Sequence, residues 1–202
     1  MGGPGGGQPN PGEPHRQITE MLGPPFLVFR DQVQAELKLS EPQKKKLAER
    51  LQDTVQDTMQ FFQRLGDKTP EERAKKHHAY VQKAQENLMA LLKETLEEEQ
   101  LKRLQELMLQ HEGLFALGNA EVMKQLELID AQRQQFGEVV QEMQKKSQQL
   151  ASETQYGGRP EEVEPKMMKI RQEHSDCIEV LLTDSQKAQW KAALGKPLNL
   201  NE

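Results

Sequence analysis

Two side chains in this sequence have the types and spacing to meet on one ion, His174 and Cys177. Residues three apart share a helix face, and an imidazole with a thiolate is a zinc-type donor pair. His77 and His78 are adjacent, so on a helix they point about 100° apart and do not readily chelate together. His111 and Glu112 precede Gly113, which suits an imidazole to the negative end of a helix dipole. The sequence carries no glycine-rich phosphate loop, nucleophile elbow or paired-histidine motif. Its carboxylates are numerous but fall mostly on solvated helix faces. The chain therefore reads as a non-enzyme that needs no cofactor.

A second group of residues does chemistry with the backbone. Leu39-Ser40-Glu41-Pro42-Gln43 and Leu182-Thr183-Asp184-Ser185-Gln186 share the phrase Leu-[Ser/Thr]-x-x-Gln. Leu96 to Gln100 and Leu128 to Gln132 are partial copies without the hydroxyl. A Ser or Thr at the N-cap accepts from the N–H of the third helical residue, and Gln at that third position reaches back to the N-cap N–H. Ser40/Gln43 and Thr183/Gln186 fit this capping box, with Pro42 in the first turn, where its missing N–H costs nothing. Thr69-Pro70-Glu71-Glu72 is a further box. At the 128 copy, Asp130 is the expected cap.

Capping boxes merely start helices, but these four stand in matched places. The glutamines at 43, 100, 132 and 186 are spaced long, short, long. An offset of 89 brings Val33, Leu37, Leu39 and Gln43 onto Val122, Leu126, Leu128 and Gln132; an offset of 86 brings Leu96, Gln100 and Leu104 onto Leu182, Gln186 and Trp190. The chain reads as two halves of one build. Under the second offset His174 falls on Leu88 and Cys177 on Leu91, both in an apolar stripe. That register favours a packed histidine and an inert thiol over a metal site, so no metal is expected.

The four phrases carry a resemblance. The chain resembles the LTxxQ-motif family of bacterial envelope proteins, which includes Spy-like periplasmic chaperones, CpxP-like stress proteins and metal-responsive relatives. The resemblance spans roughly residues 25 to 202, with Leu39, Ser40, Gln43, Leu96, Gln100, Leu128, Gln132, Leu182, Thr183 and Gln186 as its motif positions. It implies an all-α fold of two Spy-like four-helix units, each a long antiparallel hairpin flanked by short helices. The units would be arranged as a pseudo-dimer. It also implies a periplasmic or envelope location. The expected divisions are a Gly/Pro-rich disordered tail over 1–24, a first unit over 25–113 and a second over 114–202.

Composition agrees with thin helical layers. Leu, Ile, Val and Phe make 44 of 202 residues, just above the ~20% below which chains tend to stay disordered. Aromatics are 4% and charged residues 29%, which disfavours sheets and suits solvated helix faces. The net charge of −5 includes no strongly basic domain, which argues against nucleic acid. Lys44-Lys45-Lys46 reads as a solvated first turn. Residues 1–14 hold six Gly and four Pro with no apolar run, so neither a signal peptide nor a membrane span is expected in this chain. The single cysteine, Cys177, rules out an internal disulfide.

The helices expected are 26–37, 40–65, 70–95 and 97–112 in the first half, then 119–128, 130–155, 160–181 and 183–194 in the second. Leu47, Leu51, Val55, Met59, Phe62 and Leu65 form the stripe of the first long helix. Ala74, Val81, Leu88, Leu91 and Thr95 line its return. Phe136, Val140, Met143 and Leu150 face Val163, Met167, Ile170, His174, Cys177 and Leu181 in the second hairpin. In the doublets Phe61-Phe62 and Met167-Met168, neighbours sit about 100° apart, so one of each must leave the seam; Phe61 and Met168 are the expected ones. With Met89 they would form a partly exposed apolar strip, the usual mark of a binding surface.

The function expected is chaperone-like binding of unfolded or partly folded proteins on an amphipathic helical surface, with flanking charges for steering. A metal-responsive or regulatory envelope sensor and a structural helical scaffold are the alternatives. Gly113 to Asn119 is too short and apolar for a free linker. The chain is therefore expected to be a monomer, with Phe26 and Phe115 in equivalent environments.

Overall fold

In a computed structural model the chain is described over residues 21–199, apart from Asp67 and residues 156–159. Among the described residues every regular element is helical. Residues 1–20 of the expected Gly/Pro-rich tail and the turn at 156–159 lie outside the described residues. Residues 21–24 do not belong to a disordered tail: Leu22 is buried in the first core and Pro24 opens a 3-10 segment.

The first half opens with a 3-10 segment, Pro24–Phe29, then α1 (Asp31–Glu36), α2 (Glu41–Gln63), α3 (Pro70–Thr95) and α4 (Glu98–Glu112). The second half repeats the order: a 3-10 segment, Gly113–Gly118, then α5 (Ala120–Gln125), α6 (Asp130–Gln155), α7 (Pro160–Leu181) and α8 (Asp184–Ala193). The stretch expected as one helix over 26–37 is two elements, because Arg30 adopts an extended conformation between them. Gly113 to Gly118 is no linker: Ala116 and Leu117 are buried. The chain divides into two compact units. One reaches Met108 and takes in Leu198; the other is Leu109–Pro197. The division falls inside α4, not at its Gly113 end.

The helices α2, α3 and α8 start where their caps direct. Ser40/Gln43, Thr69/Glu72 and Thr183/Gln186 all form capping boxes, and Pro70 occupies the first helical position. Asp130 does not cap α6. It is the first helical residue, and the backbone N–H of Ile129 donates to Gln132 Oε1 at 3.1 Å. The short helices α1 and α5 both close on a left-handed residue, Lys38 and Glu127, each with φ 51°. In each, two backbone bonds seal the end: Lys38 N–H to Ala35 O with Leu39 N–H to Gln34 O, and Glu127 N–H to Lys124 O with Leu128 N–H to Met123 O. This is a Schellman closure without its usual glycine.

The core of the first unit gathers Phe26, Leu27, Val28, Val33, Leu47, Leu88, Leu92, Leu104 and Leu107. That of the second gathers Ala116, Leu117, Val122, Phe136, Ile178, Leu182 and Trp190. In each unit the 3-10 segment packs on both helices of its own hairpin. Phe26 and Phe115 take the third place in equivalent segments, but their surroundings differ. Phe26 is buried, whereas Phe115 is half-buried under the Arg171 guanidinium, 5.4 Å from its ring centre.

Candidate functional site

The four motif glutamines meet in two pairs. Gln43 Nε2 donates to Gln100 Oε1 at 2.8 Å and to Thr95 O at 2.9 Å. Gln100 Nε2 donates to Leu37 O at 3.1 Å, with a longer return bond to Gln43 Oε1 at 3.4 Å. The second unit repeats this. Gln132 Nε2 reaches Gln186 Oε1 and Leu181 O, both at 2.7 Å, while Gln186 Nε2 reaches Gln132 Oε1 and Leu126 O, both at 3.1 Å. Each Oε1 also accepts the N-cap N–H of its own helix, from Ser40, Glu97, Ile129 and Thr183. Every amide thus ties a helix start to a helix end and to its twin. The four motif leucines, Leu39, Leu96, Leu128 and Leu182, are all buried. The motif residues are framework, and they hold the base of each hairpin.

Away from that base, α2 differs from its expected register. Its buried residues are Leu47, Thr54 and Thr58. Thr54 and Thr58 satisfy their hydroxyls on the carbonyls one turn back, at 2.9 and 2.7 Å. Thr58 Oγ1 also lies 2.8 Å from Tyr80 Oη. The one Thr58 proton is committed to Thr54 O, so Tyr80 is the donor. Burial pushes the Tyr80 phenol up from its ordinary value. Phe61 stacks on the Tyr80 ring, with centroids 4.2 Å apart and planes at 11°.

Phe61 therefore belongs to the seam, contrary to expectation, and Phe62 leaves it. Phe62 is 45% exposed and Met59 55%. Together with half-buried Leu51 and Val55 they make an apolar strip along one flank of α2. Met89 is half-buried against the first core and is not on an open surface. Ala74, expected inside, is exposed, and Ala84, Leu88 and Leu92 carry the α3 side of the seam. In the second unit Met168 is 67% exposed and Met167 39%. Phe61, Met89 and Met168 do not share one surface character.

His174 and Cys177 part company. His174 is 3% exposed, with Nδ1 2.6 Å from Ile170 O. Cys177 is exposed, and Ile178 takes the buried place beyond His174. The thiol was expected in the seam because Leu91 was; Leu91 is itself only half-buried. Among the described residues no group of three or more His, Cys, Asp or Glu is placed to hold a metal ion. No described helix is long and apolar enough to cross a membrane.

The strip on α2 has no residue that could act as acid, base or nucleophile. What it offers is contact area beside a row of neutral amides, Gln52, Gln56 and Gln63, all exposed. Comparison with family models, curated proteins and solved structures returns no match.

Proposed function

We propose that the protein is a non-enzymatic binder of partly folded proteins, chaperone-like, acting in the bacterial periplasm or envelope as the LTxxQ resemblance implies. It would capture clients weakly and reversibly on an amphipathic helix face, from a scaffold of two Spy-like units forming a pseudo-dimer. The observation that carries this reading is the exposed Met59–Phe62 surface, continued by Leu51 and Val55. Exposed contiguous apolar side chains on a helix are a liability unless they bind something. Methionine adds adaptability, since its flexible thioether fits partners of varied shape. A pure scaffold would have no use for such a strip.

The test is suppression of client aggregation without ATP. The parent protein should slow light scattering from several aggregating clients. The Met59→Gln/Phe62→Gln protein should lose most of that effect at unchanged helical circular dichroism. Each side chain gives up about 1 kcal/mol of contact when removed from a half-open surface. No suppression at molar excess over several clients would defeat the reading and leave the scaffold.

A further inference from the structure

The strip continues a seat that is already occupied. Around α2, taking 100° per residue, Leu51, Phe62, Val55 and Met59 turn roughly 40° to 120° from the Leu47–Thr54–Thr58 seam, all in one sense. On α3, Gln85 turns from the Ala84–Leu88–Leu92 seam in the same sense, by roughly 60°. In an antiparallel pair one rotational sense leads both helices to one face. Phe61 and Tyr80 turn the other way and stack at the opposite edge of the seam. Gln85 Nε2 donates to Leu22 O at 2.8 Å, so the chain entering the Pro24–Phe29 segment lies on the face that carries the strip. That segment covers the half of the face near the glutamine clasp. The half nearer the α2–α3 turn is open: it holds Val55, Met59 and Phe62 of α2, and the Phe62 ring lies 6.2 Å from that of His77 on α3.

The occupant of the covered half indicates what the open half accepts. Residues Leu22 to Phe29 read LGPPFLVF, without one charge, in a chain whose residues are 29% charged. On its α2 border the open half carries no charge either: Gln52, Gln56 and Gln63 stand where ions are usual. Val55 to Phe62 spans about 10 Å of helix, the reach of about three extended residues. Resting on the client-binding reading above, we infer that this open half binds short uncharged aromatic–aliphatic segments of partly folded proteins, in the manner of Pro24–Phe29. Charge contributes little there, so capture on it is insensitive to salt, not electrostatically steered.

The test uses the full chain and two dye-labelled peptides, followed by fluorescence anisotropy. One carries Pro-Pro-Phe-Leu-Val-Phe between Ser-Gly flanks; the other has the same apolar residues interleaved with Glu. The neutral peptide should bind saturably, with a Kd changed less than about twofold between about 50 and 500 mM salt. Met59→Gln/Phe62→Gln should weaken it roughly tenfold, while Met168→Gln should leave it unchanged. Tighter binding of the acidic peptide that salt abolishes, equal binding by the double variant, or no binding by the parent would each overturn the inference. So would a parent dimer that the double variant converts to monomer, which would make a second copy the occupant. Client protection that survives in the parent alongside any of these results leaves the broader reading standing. Absence of protection removes that reading whatever the peptides do.

Discussion

His174 occupies the place in the second hairpin that Leu88 holds in the first, and both are buried. An imidazole there keeps one nitrogen on Ile170 O but buries polar surface where leucine buries none. His174→Leu should therefore fold normally and gain about 0.5 to 1 kcal/mol in urea denaturation. A loss of stability would show that the imidazole makes a contact worth more than its burial costs. Glu112 is the second costly side chain. Burial holds its carboxyl above the usual carboxylate range, and the charge of Arg171 only partly opposes this. A carboxyl raised in the folded state adds stability in acid and loses it as pH rises. Its ionised form thus works against folding at neutral pH. Glu112→Gln should raise Tm at pH 7, with the gain disappearing below about pH 4, where the unfolded carboxyl is also protonated. An equal gain at both pH values would mean that its charge is not the cause.

The helices begin and end close to where the sequence places them, because their ends are written in local chemistry. Thr69-Pro70 starts α3 and Thr183 starts α8 through bonds made within one turn. The seams were less legible. Counting apolar side chains selects Leu51, Val55, Met59 and Phe62, but a threonine whose hydroxyl bonds back to its own helix carries no unsatisfied donor into the seam. Leu47, Thr54, Thr58, Phe61 and Leu65 are spaced seven, four, three and four, a coiled-coil register that was visible once threonine is admitted to it. The glutamine pairs were not legible at all. Their members stand 57 and 54 residues apart, and a capping box accounts for each one locally. Their energetic role can be measured. Gln132→Ala strands Leu181 O, the Ile129 N–H and part of the Gln186 amide in a buried place, and should cost about 2 to 4 kcal/mol. Gln132→Glu should cost more at pH 7, since a carboxylate donates to neither Leu181 O nor Gln186 Oε1. It should recover part of the loss in acid, when the protonated group regains a donor. A Glu variant no worse than Ala at neutral pH would contradict this account of the pair.

At the scale of the molecule the internal repeat is carried by mechanism more than by residue identity. Each unit has its own glutamine pair, its own left-handed helix closure and its own uncharged 3-10 segment on its own hairpin. The repeat is imperfect where contact with the surroundings decides the residue: Phe115 takes Arg171 where Phe26 takes the core. Two such units in one chain are the reason for proposing a pseudo-dimer. In that proposal covalent joining gives each half a high effective concentration of the other, and no second chain would be needed. The halves do not separate cleanly at Gly113. Leu109 packs with the second core, and Gln110 Nε2 donates to Leu194 O at 2.6 Å and Lys196 O at 2.8 Å. A fragment of residues 114–202 therefore lacks contacts that residues 109–197 retain, and should melt lower than that longer fragment. The full chain should be a monomer by light scattering at micromolar concentration and unfold in one transition by circular dichroism. An obligate dimer, or two well-separated transitions each matching one isolated fragment, would mean that the two units are neighbours on one chain without forming a shared structure.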